Sequence, residues 1–206
     1  VLSGTATITN ANATSTTVTG VPNGSTAIIR WTVSNAGCTS SFTDVTVVNN
    51  NPPSAAVLTT AATLTNCGNG TFNIGAVTPT NGTGQWTVFS GTATITNANA
   101  TSTTVTGVAN GSTVIIRWTV SSAGCTSNMT DVTLTNNPPV STATLTTAAT
   151  LTNCGDGTFN IGAVTPTVGT GQWTVLSGTA TIANANATST SVSNVTAGST
   201  VVLRWT

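Results

Sequence analysis

Polar and apolar residues alternate with a period of two along most of the chain, and Gly, Asn or Pro interrupts the alternation every few residues. The stretch 112–121 shows this most clearly, because Val114, Ile116, Trp118 and Val120 fall on one face. Such alternation predicts half-buried β-strands. No stretch has the spacing of an amphipathic helix, so the pattern predicts an all-β protein.

The chain contains an internal repeat of 87 residues. The segment Gly-Thr-Ala-Thr-Ile-Thr-Asn-Ala-Asn-Ala-Thr begins at Gly4 and again at Gly91. A second segment, Thr-Asn-Cys-Gly, begins at Thr65 and again at Thr152. A repeat of this length fits one small β-domain.

Pro-Pro pairs at 52–53 and 138–139 follow runs of Asn and are typical of short, stiff linkers. They divide the chain into the C-terminal part of a first repeat at 1–51, a complete repeat at 52–138, and the N-terminal part of a third at 139–206. Because both outer pieces cover only part of a repeat, we expect the sequence to belong to a longer array.

Within the complete repeat, alternation and turn residues predict seven strands, here lettered A to G: 60–65, 71–77, 84–90, 92–96, 103–108, 112–121 and 130–135. Seven short strands in 87 residues predict an immunoglobulin-like antiparallel β-sandwich. We expect Phe72, Trp86 and Trp118 to form much of its core. Strand C should point Trp86 and Val88 inward.

The composition excludes several classes of protein. Only 3% of the residues are charged, as three Arg and three acidic residues, and Lys and His are absent. A nucleic-acid-binding protein needs a basic surface, and no apolar run is long enough to insert into a membrane. Without His or Lys, no base is available to activate the abundant Ser and Thr, so we expect neither enzymatic activity nor a cofactor.

The rare charges recur with the repeat. An F–G turn centred near Gly124 places Arg117 opposite Asp131, and the repeat places Arg30 opposite Asp44 in the same way. We expect cross-strand salt bridges that hold the strand register; recognition of a ligand by the same pairs is the alternative. A lone Asp156 in a Cys-Gly-Asp-Gly turn favours turn formation over metal binding.

Cysteine occurs twice per complete repeat, and no Cys-x-x-Cys motif is present. Disulfides in an oxidising, extracellular setting are the expected use. One pairing joins Cys67 to Cys125 within the domain, although the two loops concerned lie at opposite ends of an immunoglobulin topology. In the other pairing, Cys38, Cys67, Cys125 and Cys154 each bond to a neighbouring repeat. The sequence leaves both open.

Several segments carry a family resemblance. They are Val-Gly-Thr-Gly-Gln-Trp-Thr-Val-Leu-Ser-Gly at 168–178, Thr-Ala-Thr-Ile-Thr-Asn-Ala-Asn-Ala-Thr at 92–101, Val-Ile-Ile-Arg-Trp-Thr-Val-Ser at 114–121, Gly-Cys-Thr-Ser at 124–127 and Thr-Asp-Val-Thr at 130–133. Together they resemble the PKD-like, immunoglobulin-like repeats of large surface proteins of Bacteroidota, including gliding-motility adhesins. The resemblance implies export to the cell surface, by type IX secretion. This chain carries even less charge than such repeats usually do.

We therefore expect a structural repeat of an extracellular filament or adhesin stalk. Its partners would be neighbouring repeats or copies of itself, with surface glycans as a further candidate. The alternative is a Thr-rich module that binds carbohydrate or ice, suggested by the Thr-x-Thr pattern at Thr92, Thr94 and Thr96.

Overall fold

The computed structural model describes all 206 residues, and it contains strands and turns but no helix. The strands, numbered in chain order, are β1 Thr7–Ile8, β2 Val18–Thr19, β3 Ser25–Val33, β4 Ser41–Asn49, β5 Thr63–Cys67, β6 Phe72–Gly75, β7 Thr83–Ser90, β8 Thr94–Ile95, β9 Ser102–Thr106, β10 Ser112–Ser121, β11 Asn128–Asn137, β12 Phe159–Gly162, β13 Trp173–Ser177, β14 Thr181–Ile182, β15 Ser189–Ser193 and β16 Val202–Trp205. Contacts divide the chain into two compact units, Val1–Asn137 and Pro138–Thr206, so the first two repeats share one unit.

The middle repeat is an immunoglobulin-like sandwich of two sheets. One sheet has the strand order β5-β11-β10-β7, and the other has the order β6-β9-β8. In the letters used above, these are the A-G-F-C and B-E-D strands. All pairs are antiparallel except β5, which lies parallel to β11. The all-β, immunoglobulin-like fold predicted from the sequence is therefore confirmed.

The core of this repeat lies between the two sheets. Phe72, Trp86 and Trp118 are all buried, as the alternation predicts. The two indole rings pack with their centroids 4.8 Å apart. The Trp118 ring also covers the backbone of Gly84, where a Cβ atom would collide with it. A glycine is therefore required beside the tryptophan pair.

The predicted strands agree with the structure best where four apolar residues alternate, and β10 has the predicted bounds. The other predicted bounds differ from the observed ones by up to two residues at an end, and those of strand A by up to three. Strand A was expected at 60–65, whereas β5 spans Thr63–Cys67 because its partner on β11 lies at 133–137. Val88 lies opposite the buried Ile116, on the inward face as predicted, but it remains 37% exposed because β7 is an edge strand of its sheet.

The first repeat, within the same unit, consists of a short β1-β2 pair and the long β3-β4 hairpin. Ser3 forms a bridge to Ile28 on β3. Ala27 and Ile29 are buried, whereas several apolar residues further along the hairpin are exposed. This repeat has no counterpart of strands A, B or most of C to cover them.

The second unit contains a three-stranded sheet, β12-β15-β14, and a two-stranded sheet, β13-β16. Its core consists of Ile161, Ala163, Trp173, Val192 and Trp205. The tryptophan pair of the middle repeat recurs here, with ring centroids 5.1 Å apart. No strand lies on the far side of β16, where β11 pairs with β10 in the middle repeat.

Candidate functional site

Two of the three Arg and two of the three Asp residues form two bidentate ion pairs on the outer faces of the long hairpins. Arg117 donates from Nε and Nη2 to the two carboxylate oxygens of Asp131, at 2.8 and 2.9 Å. Arg30 and Asp44 form the same pair at 2.7 and 2.8 Å. In both hairpins the two residues are direct cross-strand partners. This arrangement fixes the register of each hairpin.

The ion pairs also lower the pKa of their two carboxyl groups. The hydrogen bond from the Arg117 guanidinium holds the pKa of Asp131 below its ordinary value, against an opposing effect of burial. Arg30 lowers the pKa of Asp44 for the same reason. Both carboxylates therefore stay charged and bound at neutral pH, which suits a structural pair better than a proton-transfer site.

Each paired guanidinium also lies over an aromatic ring, a contact that sequence reasoning missed. The Arg117 Cζ atom is 3.6 Å from the centroid of Phe89, and Arg30 lies 3.7 Å from that of Phe42. Both rings are more than half exposed. Phe89 comes from β7, whereas Phe42 comes from β4, so the repeats build the same cation–π contact from different strands. The alternation along β7 places Phe89 on the outer face, where Arg117 also lies, and this feature of the sequence could have predicted the contact.

The four cysteines are free thiols in the structure. Cys67 lies opposite Asn137 at one end of β11, whereas Cys125 is in the turn beyond Asn128 at the other end. A ten-residue strand spans roughly 30 Å, and a disulfide needs Cα atoms within about 7 Å. The structure therefore does not bring Cys67 and Cys125 together, and the pairing within one domain is ruled out by this topology.

Side-chain amides of the middle repeat bind the Pro-Pro linker that enters it. Asn128 donates from Nδ2 to the carbonyl of Pro53 at 3.0 Å, and Asn81 donates to the carbonyl of Pro52. Asn50, on the linker, donates to the carbonyl of Ala123 at 2.7 Å. These contacts join the B–C loop, the F–G turn and the start of β11, at one end of the middle sandwich, to the segment that follows β4. The first two repeats are thus joined by more than a covalent tether.

Cys125 lies in the same junction. Its Sγ atom is 3.4 Å from the carbonyl oxygen of Asn51. This places the thiol of the F–G turn beside the end of the preceding repeat. The position fits a bond to a neighbouring repeat, which is the second of the two pairings that the sequence allows.

A buried asparagine closes the opposite end of the middle sandwich. Asn136 is 1% exposed and donates from Nδ2 to the carbonyl of Val108 at 2.8 Å and to Asn110 at 2.9 Å. Its Oδ1 accepts a hydrogen bond from the backbone N–H of Gly68 at 2.9 Å. One side chain thus holds the A–B and E–F loops to β11. Sequence reasoning missed it because Asn is frequent throughout the chain.

Threonines line the outer face of the A-G-F sheet. Thr65, Thr135 and Thr113 lie side by side across three strands, and Thr63 lies beside Thr133. The hydroxyls of Thr113 and Thr135 bond to each other at 3.1 Å. The Thr-x-Thr segment that suggested this property forms only a two-residue strand, β8. The regular Thr array therefore lies on a different sheet from the one expected.

The structure contains no group of three or more His, Cys, Asp or Glu residues arranged to hold a metal ion. None of its segments is a helix long and apolar enough to cross a membrane.

No protein-family model matches the chain, and no curated protein matches it. Among solved structures, extracellular domains 3–5 of Drosophila OTK align with 87% of this chain and 68% of their own length. The alignment has a TM-score of 0.33 and 11% sequence identity.

Proposed function

We propose that the chain is a structural segment of an extracellular filament or adhesin stalk, without catalytic activity. The observation that carries this proposal is the junction between the first two repeats. Asn81 and Asn128 fix the linker carbonyls to the middle repeat, and Asn50 of the first repeat donates to the carbonyl of Ala123, so the end of one repeat is bound at the end of the next. A stalk needs such junctions because freely hinged repeats would collapse rather than extend.

The proposal includes location at a cell surface and disulfide bonds between neighbouring repeats. Cys125 lies against the linker, and the pairing of each cysteine with a neighbouring repeat would lock every junction. Forming each bond removes two protons and two electrons, which the oxidants of an extracytoplasmic compartment accept. The Bacteroidota-like repeat sequence supports export by type IX secretion to a surface adhesin.

The rigidity of the junction can be measured with the native cysteines. With Cys125 and Cys154 replaced by Ser, spin labels on Cys38 and Cys67 report the distance between the first two repeats. We expect one narrow distance distribution, which should broaden when Asn81→Ala and Asn128→Ala are combined. Asn160→Ala, an exposed Asn on β12, is the matched control and should leave the width unchanged. A broad distribution in the parent chain would contradict a stiff stalk.

Surface location has a separate test. Antibodies raised against the middle repeat should label intact cells of the source organism. Labelling only after permeabilisation would contradict the surface assignment while leaving the rigidity of the junction untouched.

The Thr face supports a second candidate function, binding of carbohydrate or ice. The aligned hydroxyls of Thr65, Thr135 and Thr113 are the observation that favours it. Thr65→Val should then weaken binding to a glycan array or reduce thermal hysteresis. Thr174→Val, on β13 of the second unit, is a control outside this face.

A further inference from the structure

The chain contains four Asn-Gly pairs, which begin at Asn23, Asn69, Asn81 and Asn110. In such a pair the backbone nitrogen of the glycine can attack the side-chain amide carbon of the asparagine, because glycine has no Cβ atom to hinder the approach. The attack closes a succinimide ring and releases ammonia. The hydrogen bonds around each pair decide how readily it reacts.

Three of the pairs are restrained by hydrogen bonds to a reacting nitrogen. The N–H groups of Gly24 and Gly111 each donate at 2.6 Å to a backbone carbonyl, on β4 and on β11 respectively. A nitrogen held in this way must give up a hydrogen bond before it attacks. Asn81 is restrained at its leaving group, because its Nδ2 atom donates to the carbonyl of Pro52.

The pair Asn69-Gly70, in the A–B loop of the middle repeat, has neither restraint. The N–H of Gly70 and the Nδ2 atom of Asn69 donate to no acceptor in the structure. The Oδ1 atom of Asn69 accepts two hydrogen bonds, one from the N–H of Thr71 at 2.9 Å and one from Nδ2 of Asn66. Asn69 is exposed, so water reaches its side chain.

The two donors to Oδ1 lie where negative charge develops during the reaction. Attack on the amide carbon moves an electron pair onto Oδ1, and N–H groups aimed at such an oxygen stabilise it. The attacking glycine is also required by the fold. Gly70 has a φ of +58°, and a Cβ atom there would collide with the carbonyl oxygen of Val108. The loop therefore keeps a reactive pair together with the donors that activate it.

We propose that Asn69 is a site of self-catalysed deamidation, with an aspartate at the same position as the product. The nitrogen of Gly70 bonds to the side-chain carbon of Asn69, its proton passes through solvent to the leaving nitrogen, and ammonia departs. Water then adds to the same carbon and breaks its bond to Gly70, which leaves the backbone peptide bond intact. In sum, asparagine and water give aspartate and ammonium, with no change of oxidation state.

The third repeat already has an aspartate at the equivalent position. Asp156 lies 87 residues after Asn69, and its Oδ1 accepts hydrogen bonds from the N–H of Thr158 at 2.9 Å and from Nδ2 of Asn153 at 2.7 Å. These donors are the counterparts of the two that bind Asn69. The loop therefore accommodates the product with the same hydrogen bonds.

The conversion changes the charge of the chain. It adds a negative charge at an exposed position to a chain in which three Arg balance three acidic residues. Like charges on nearly uncharged copies reduce their tendency to associate. This goes beyond the proposed function, since a stalk needs no chemical change. Failure of the reaction would leave the rigid junction and the surface location standing.

Peptide mapping by mass spectrometry tests the reaction on the folded 206-residue chain, incubated in heavy-oxygen water at mildly alkaline pH. We expect labelled aspartate to form at position 69 at least about tenfold faster than at positions 23, 81 and 110. In concentrated urea the four rates should converge, because the hydrogen bonds that distinguish the pairs are lost. Equal rates in the folded chain, or a slower reaction at position 69, would overturn the proposal.

A pair of variants tests the role of the donors. Asn66→Ala removes one of them and should slow the reaction at position 69 at least about tenfold. Asn73→Ala is the matched control, since the Asn73 side chain bonds to Thr104, and it should leave the rate unchanged. An unaltered rate in Asn66→Ala, with β5 and β6 protected from hydrogen exchange, would contradict activation by the donors. If that variant loosens the loop, the comparison of the four pairs in the parent chain decides the proposal.

Discussion

The first and middle repeats contain almost the same F–G hairpin in two different surroundings. Ile-Ile-Arg-Trp-Thr-Val occurs at 28–33 and again at 115–120, and both copies form strands with an outward Arg bound to an Asp. The buried faces differ, because only the middle repeat has the β6-β9-β8 sheet packed against its hairpin. Strand formation and register are therefore local properties of this hairpin, whereas its burial depends on strands far away in the sequence.

In a second pair of identical segments, strand formation itself depends on distant parts of the chain. Thr-Leu-Thr-Asn-Cys forms β5 at 63–67, but the same five residues at 150–154 form no strand. β5 has only one partner, β11, and the second unit has no strand in that position. An edge strand made of such a short segment forms only when its neighbour is present.

Replacement of the hairpin tryptophans should give the largest difference between the two repeats. Trp118→Ala removes a fully buried ring and should destabilise the middle repeat by about 3–5 kcal/mol. Trp31→Ala, at the equivalent position, should cost much less because its ring is already 42% exposed. Hydrogen exchange of the backbone amides in β10 and β3, measured at increasing urea concentrations, gives the loss of stability in each variant. Equal losses would show that Trp31 is buried in solution.

The sequence was sufficient to predict the sandwich and much of its core. Period-two alternation marks β10 well because four inward positions are large and apolar, including Trp118. The F–G register followed from the turn at Gly124, since one turn position determines every cross-strand pair in a hairpin. These features depend on residues close together in the chain.

The features that the sequence did not reveal depend on distant partners. The parallel pairing of β5 requires a strand about 70 residues away, so its position differed from the prediction. The exposure of Val88 reflects the edge position of β7 rather than its own pattern. Asn136 could not be distinguished from the many other Asn residues, because its role depends on loops at Gly68 and Val108.

Replacement of the loop-closing asparagine should have the next largest effect. Asn136→Ala leaves the N–H of Gly68 and the carbonyl of Val108 without their side-chain partner, at a cost of about 2–3 kcal/mol. Asn49→Ala, the counterpart in the first repeat, should cost less, since Asn49 bonds only to Val21 and Asn23 and is less buried. Thermal unfolding of the two variants checks the order. A greater loss of stability in Asn49→Ala would contradict the stronger role of Asn136 in holding the loops of its repeat.

The ion pairs should give the smallest effect and the smallest difference between repeats, because both pairs belong to local hairpins. Each Asp has a lowered pKa in the folded state, so the unfolded chain binds protons more readily at acid pH. The stabilisation is therefore complete above the unfolded pKa of about 3.9 and is lost as the pH falls through the lower folded value. Carboxyl carbon NMR should show Asp44 and Asp131 both titrating below their ordinary range. Arg117→Gln should raise the midpoint of Asp131 and leave that of Asp44 unchanged; an unaltered Asp131 midpoint would show that the pair does not form in solution.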